Sequence, residues 1–196
     1  MTDQHTSPGL TDAPGSPGSA GQEDPACDVA HGAAPAPVSS RTLVAVFSSP
    51  VARYLLQYAA DAGYRPVLVE PDPQHAQPGG PDGQAGADVV VSAGLDGYLD
   101  EATDVVVTDH HRPELGPVLR DALAGKTRWV GIMGNPKHPA PHVPALAALG
   151  VAEADISRVH RPIGLNIGSH TPAEIAVATL AGLIADRNGR PGGFEF

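Results

Sequence analysis

Residues 41–70 hold two short apolar runs with one amphipathic segment between them, and this triplet restricts the chain to few folds. The run R-T-L-V-A-V-F-S (41–48) is short, apolar and partly β-branched, the pattern of a buried strand. Ser49-Pro50 then opens a helix. Val51, Leu55, Tyr58, Ala59 and Ala62 share one of its faces, and Gly63 stops it. R-P-V-L-V-E (65–70) reads as the next strand. A βαβ unit of this kind requires parallel strands and a right-handed crossover. The alternation continues, with strands expected at 87–92, 104–108 and 127–133 and a helix at 113–125. That helix carries Leu115, Val118, Leu119 and Ala122 on one stripe. One or two helical turns are expected within 95–102, and short helices over 145–149 and 152–159. Five strands alternating with helices predict a three-layer, Rossmann-like α/β domain with a mostly parallel sheet.

The ends and one interior stretch have a different composition. Residues 1–40 contain no Lys or Arg, and their apolar content is mostly alanine, too small to offset the entropy of ordering. They are expected to form a disordered Pro/Gly/Ala-rich acidic tail, with the domain at 41–189 and a flexible end at 190–196. Residues 71–86, rich in Pro, Gly, Asp and Gln, read as a long loop. The net charge of −10 argues against nucleic acid, which needs a basic footprint, and against an anionic membrane surface. No apolar run approaches the roughly 18 residues of a membrane span. The N-terminus lacks the basic region and apolar core of a secretory signal. The lone cysteine, Cys27, has no internal partner, which fits a reducing, cytoplasmic compartment.

In open α/β sheets, ligands collect at the carboxyl ends of the strands. The first such end reads Phe47-Ser48-Ser49-Pro50-Val51. Dinucleotide folds carry G-x-G-x-x-G at this turn. Here no glycine is present, side chains keep the backbone away from a pyrophosphate, and Pro50 removes a donor. The hydroxyls of Ser48 and Ser49 remain as candidate phosphate ligands. Glu70 stands near the position of a ribose-binding acid, or is a strand-end carboxylate facing water. The strand at 104–108 runs into Asp109-His110-His111. Asp109 and His110 are candidates for ligand contact; the plainer alternative has Asp109 capping the next helix and the imidazoles in solvent. Zinc is not indicated, because spacing places no third and fourth ligand. The strand at 127–133, with Trp129 as a core anchor, ends in G-I-M-G-N-P-K-H. Its Gly131, Gly134, Asn135 and Lys137 suit an anion, or make an ordinary turn.

The last helix has its start written in full. Thr171 is a good N-cap, Pro172 sits at the first helical position, and Glu174 completes a capping box. Val177, Leu180, Leu183 and Ile184 follow on one face, and Asn188-Gly189 ends the helix. Just before the cap, Gly164 and Gly168 bracket Leu165-Asn166-Ile167. Glycines so placed permit positive φ or a close backbone approach.

H-R-P-I-G-L-N-I-G-S-H-T-P-A-E-I-A (160–176) resembles the signature of the XdhC/CoxI family, the xanthine dehydrogenase accessory factors. That signature reads approximately His-x-Pro-Ile-Gly-Leu-(Asp/Asn)-Ile-Gly-x-x-Thr-Pro-x-Glu-Ile-Ala. R-W-V-G-I-M-G-N (128–135) resembles the same family's aromatic-(Val/Ile)-Gly-x-(Leu/Met)-Gly-Ser block. Two motifs in order are more specific than a lone glycine pattern. The resemblance covers about 41–189 and the family's C-terminal Rossmann-like domain only. Family members commonly have Gly-Ala-Gly at the first turn, where this chain has no glycine. After the second motif they have Ser and basic residues, where this chain has Asn135-Pro136-Lys137.

The resemblance implies an accessory factor in maturation of a molybdenum hydroxylase, a carrier rather than a catalyst. Such relatives are held to bind molybdenum cofactor and deliver it, sulfurated, to xanthine or carbon monoxide dehydrogenase. The cofactor-binding set would be Ser48, Ser49, Asp109, His110, Gly131, Gly134, Asn135, Lys137, Gly164, Asn166, Gly168, Thr171 and Glu174, with no metal ligand and no catalytic residue. Backbone N–H groups at 134–135 and 171–173 would meet the cofactor phosphate. Expected partners are the hydroxylase subunits and a separate chain supplying the N-terminal domain of full-length relatives, with a homodimer left open. Two alternatives stand beside this reading: an NAD(P)-binding oxidoreductase or redox sensor, disfavoured by the first turn, and an interaction module without a ligand.

Overall fold

The computed structural model describes residues 25–35, 40–75, 88–90, 94–95, 97–135 and 137–193. The chain divides into two units, Met1–Pro37 and Val38–Phe196. In the first, a helix α1 (Pro25–Ala30) with no buried side chain lies where a structureless tail is expected. Backbone hydrogen bonds extend it, from His31 N to the Cys27 carbonyl and from Ala33 N to the Asp28 carbonyl. The expectations for 1–24, for most of the loop at 71–86 and for 194–196 lie outside the described residues.

The second unit is built on the apolar runs. Its strands are β1 (Thr42–Val46), β2 (Arg65–Val69), β3 (Asp88–Val90), β4 (Thr103–Val107), β5 (Trp129–Ile132) and β6 (Val159–His160). They form one six-stranded sheet in the order β3-β2-β1-β4-β5-β6. Every pairing is parallel. Val44 of β1 is flanked by Val67 of β2 and Val105 of β4. The helices are α2 (Pro50–Asp61), α3 (Leu115–Ala124), α4 (His142–Ala147), α5 (Glu153–Ile156) and α6 (Pro172–Arg187). This strand order is that of dinucleotide-binding folds, and it reverses direction between β1 and β4.

Two cores follow from the period of two along each strand. Leu43, Ala45, Leu68 and Val106 face α2 and α6, where they meet Leu55, Leu56, Leu180 and Leu183. Val44, Val46, Val105, Val107 and Val130 face the other way, onto Leu115, Val118, Leu119, Leu146 and Ile156. The three-layer α/β fold is therefore as the alternation predicts.

Three local readings are corrected. The helix expected over 152–159 shrinks to α5, and Val159–His160 pairs with β5 as a sixth strand, Val130 opposite Val159 and Gly131 opposite His160. Two residues are too few to show a period. Residues 97–102 form turns and bends rather than a helix. Gly97 has φ 84, and the Thr103 hydroxyl donates to the Tyr98 carbonyl and to Asp100 Oδ1. These side-chain bonds offer the backbone an alternative to helix. Finally, α4 begins at His142 with Pro144 in its first turn, where a missing N–H costs little.

Candidate functional site

The crevice between β1 and β4 is where this topology binds nucleotides. Here it is closed by the chain's own groups. Phe47 follows β1 with φ 72, a left-handed conformation, and its side chain is fully buried. The turn thus takes the shape a glycine would favour but fills the space a glycine would leave. Ser48 N donates to Glu70 Oε2 at 2.8 Å. Glu70 Oε1 accepts from Asp72 N at 3.0 Å and from Arg112 Nη2 at 2.9 Å. Glu70 is therefore not a carboxylate facing water: its side chain is 0% exposed and paired with Arg112. The Arg112 guanidinium lies over the Phe47 ring, 4.7 Å from its centroid. Ser49 caps α2, its Oγ accepting from Ala52 N and bonding Thr108 Oγ1 at 3.0 Å. The Thr108 hydroxyl reaches the Val46 and Phe47 carbonyls. These residues do not fit a dinucleotide. The Ser48 N–H and the Ser49 hydroxyl are committed, Pro50 has no N–H, and both oxygens of the ribose-position acid are used.

Next to this crevice, Asp109 Oδ1 accepts from His111 N at 2.8 Å. It does not cap α3, whose N-cap is Glu114 without a side-chain hydrogen bond. The His110 and His111 rings lie 4.0 Å apart. Burial, and then His111, push the His110 pKa down, against a hydrogen bond with the Met133 backbone. That bond carries the site across to the end of β5.

The turn after β5 is tied to the loop after β6 by Arg161. Its Nη2 donates to the carbonyls of Asn135 at 2.8 Å, His138 at 3.2 Å and Pro139 at 3.3 Å. Asn135 Oδ1 accepts from Lys137 N, closing the turn on itself, and Lys137 is exposed. A Cβ on Gly134 would come within 2.9 Å of Arg161 Nε. Gly131 has a packing reason instead. A Cβ there would lie 2.1 Å from the Trp129 ring and 2.7 Å from Ile163.

The loop leading to α6 serves mainly the helix. Gly164, at φ 83, backs onto α6 so closely that a Cβ would stand 2.9 Å from the backbone of Ala178 and Thr179. Leu165 N donates to the Ala178 carbonyl. Gly168 has φ 69 with open space around it, and Asn166 is exposed. The capping box forms: Glu174 N donates to Thr171 Oγ1, while Glu174 Oε2 accepts from the N–H groups of His170 and Thr171. Those backbone bonds hold the Glu174 pKa below the usual carboxylate value. Of the N–H groups expected to meet a phosphate at 171–173, that of Thr171 is committed and Pro172 has none.

The structure thus brings Ser48, Ser49, His110, Gly134 and Asn135 to one edge, while Gly164, Thr171 and Glu174 hold α6. Arg112, Thr108, His142 and Arg161 belong to that edge and were not singled out from the sequence. Arg161 stands inside the signature itself, between His160 and Pro162. Arg112 follows Asp109-His110-His111 directly, one strand end away from an acid. His142 sits in a proline-rich stretch whose sequence carries no period. Among the described residues, no three His, Cys, Asp or Glu gather as a metal site.

The family model of the XdhC Rossmann domain matches residues 43–183. The chain belongs to this family. Within the XdhC domain, both motifs fall on the edge just described, Trp129 to Asn135 as β5 and its turn, His160 onward as the end of β6 and its loop. The uncharacterized protein YqeB of Escherichia coli K12 is 32% identical over 99 residues, which is 50% of this chain and 18% of that protein. A solved structure described as a xanthine dehydrogenase from Bacillus halodurans superposes with a TM-score of 0.60 at 20% identity. It shares the fold over 79% of this chain and 45% of its own. The chain therefore spans less than half the length of either protein. No described helix is long and apolar enough to cross a membrane.

Proposed function

We propose that the chain is an accessory factor of a molybdenum hydroxylase, of the xanthine or carbon monoxide dehydrogenase type, and that it acts by binding rather than by catalysis. The observation that carries this reading is an XdhC Rossmann domain whose nucleotide crevice is filled by its own Glu70 and Arg112. A redox enzyme of this fold needs that crevice for its cofactor. A carrier or chaperone does not.

The cargo would be molybdenum cofactor, bound transiently. Its phosphate would meet the turn after β5, at Lys137 and the N–H groups of Gly134 and Asn135. The fit extends to the phosphate alone. When bound, the cofactor supplies the metal chemistry of the client enzyme; this chain would hold and orient it. The partners would be the hydroxylase subunits. The single Cys27 agrees with action in the cytoplasm.

The test is native mass spectrometry of the tagged full chain, purified without oxygen from its own host. A pterin or pterin dinucleotide mass, together with a co-purifying hydroxylase subunit, is the expected result. Stoichiometric NAD(P) would overturn the reading in favour of an oxidoreductase. A hydroxylase subunit on an otherwise empty protein would reduce the role to that of an interaction module.

A further inference from the structure

Glu70 gathers donors from three strand-end loops. Ser48 N, after β1, donates to its Oε2 at 2.8 Å. Asp72 N, after β2, donates to Oε1 at 3.0 Å. Arg112, after β4, reaches both oxygens, Nη2 to Oε1 at 2.9 Å and Nη1 to Oε2 at 3.4 Å. The guanidinium is itself held from two further sides. The Phe47 ring lies under it, and Glu114 Oε2 stands 3.4 Å from Nε. A carboxylate with no exposed surface thus receives two backbone amides and both prongs of an arginine.

This donor set is the kind that recognises a free oxyanion: an amide beside a helix start, joined to a planar guanidinium fork. Its place in the fold is that of a ligand group, beside α2 where the strand order reverses. Stability alone does not ask for it. Burying charges is costly, and apolar side chains of similar volume often hold a structure as well or better. Here the three loops are gathered on a charge instead.

We propose that Glu70 is a resident anion: its carboxylate is the internal ligand of an oxyanion seat, and the loops after β1, β2 and β4 are ordered around it. The seat is built but already taken. An oxyanion from solution enters it only when the Glu70 side chain has been removed. The inference does not depend on the cargo reading. It adds that a cofactor phosphate has to be met elsewhere along the strand ends.

Glu70→Ala takes away the methylene and carboxylate that acetate resupplies. Thermal melting of the full chain is followed against sodium acetate at neutral pH, with sodium chloride as the ionic-strength control and acetamide as the neutral control of the same shape. Glu70→Ala is expected to melt below the wild type and to regain at least half of that loss, saturably, with acetate and not with either control. The wild type should respond to acetate no more than to chloride. Adding Arg112→Gln should abolish the rescue. In hydrogen exchange read by mass spectrometry, acetate should slow the amides around Ser48 and Asp72 of Glu70→Ala at least tenfold. Rescue by acetamide equal to that by acetate would mean that filling the hole is enough, and a folded Glu70→Ala that gains nothing would mean that no seat exists; either overturns the proposal. Should Glu70→Ala fail to fold, Glu70→Gln decides, since it keeps the volume and loses the charge. It should melt below the wild type, with exchange around Ser48 and Asp72 at least tenfold faster, and parity with the wild type overturns the proposal.

Discussion

Phe47 places two opposing effects on one residue. Its positive φ costs a non-glycine residue about 1–2 kcal/mol. Its ring is fully buried in the core and carries the Arg112 guanidinium on its face. Removing a buried phenyl ring costs about 3–5 kcal/mol. Burial wins, so Phe47→Gly is expected to destabilise the domain by about 1–4 kcal/mol, read as a lower urea midpoint. A stabilised variant would mean that the strain at Phe47 exceeds its packing. The histidines give a second prediction at this scale. The pKa values of His142 and His110 are pushed below their ordinary values, by burial first. His142 faces Arg161; His110 faces His111, Asp109 and Arg161. The unfolded chain therefore binds more protons than the folded one once pH falls below the unfolded histidine value, about 6.5. Stability is present in full above that value and declines as pH drops through it. Melting temperature should fall between about pH 7.5 and 5.5, with a shallower fall in His142→Gln. An unchanged slope in that variant would remove His142 from the account.

At the scale of elements, α6 is the best-signalled helix and the one most closely joined to a loop. Gly164 and Gly168 separate two reasons for glycine. Both have positive φ, but only Gly164 has backbone atoms where a Cβ would go. Gly168→Ala should cost about 1–2 kcal/mol, the conformational term alone. Gly164→Ala should add an overpacking cost of about 1–3 kcal/mol and speed amide exchange along α6, measurable by mass spectrometry. Equal costs at the two positions would mean that the loop yields without disturbing the helix. This helix was legible because a capping box, an N1 proline and a terminal glycine are local signals. The βαβ unit of residues 41–70 was legible for a similar reason, since period and length agree there. By contrast, β6 is two residues long and exists only by pairing with β5, and the turns at 97–102 depend on Thr103 finding Tyr98 and Asp100. The site was half legible. Strand ends and glycine turns could be placed by pattern. The Glu70–Arg112 pair spans 42 residues and Arg161 reaches back 26 to Asn135, and nothing in a local pattern announces either contact.

The whole molecule keeps the strand order of a dinucleotide-binding domain while its crevice between β1 and β4 is occupied from within. A dinucleotide entering there must displace Glu70 from the Ser48 amide and from Arg112. Both partners are largely or wholly buried, at 0% exposure for Glu70 and 13% for Arg112. Separating such a pair costs about 3–5 kcal/mol. A micromolar site is worth about 8 kcal/mol, so that cost leaves roughly 3–5 kcal/mol, an affinity of about 0.2 to 6 mM. The carboxylate adds to this, because it stands where a phosphate would otherwise meet the amide and the start of α2. Equilibrium dialysis with NADH or NADPH is therefore expected to show no saturation below about 0.1 mM. Phe47→Gly should not restore binding, since the turn regains its backbone freedom while Glu70 and Arg112 remain in place. Saturable micromolar binding to the wild-type chain would show that the pair opens at little cost, and would return the domain to redox chemistry despite its first turn.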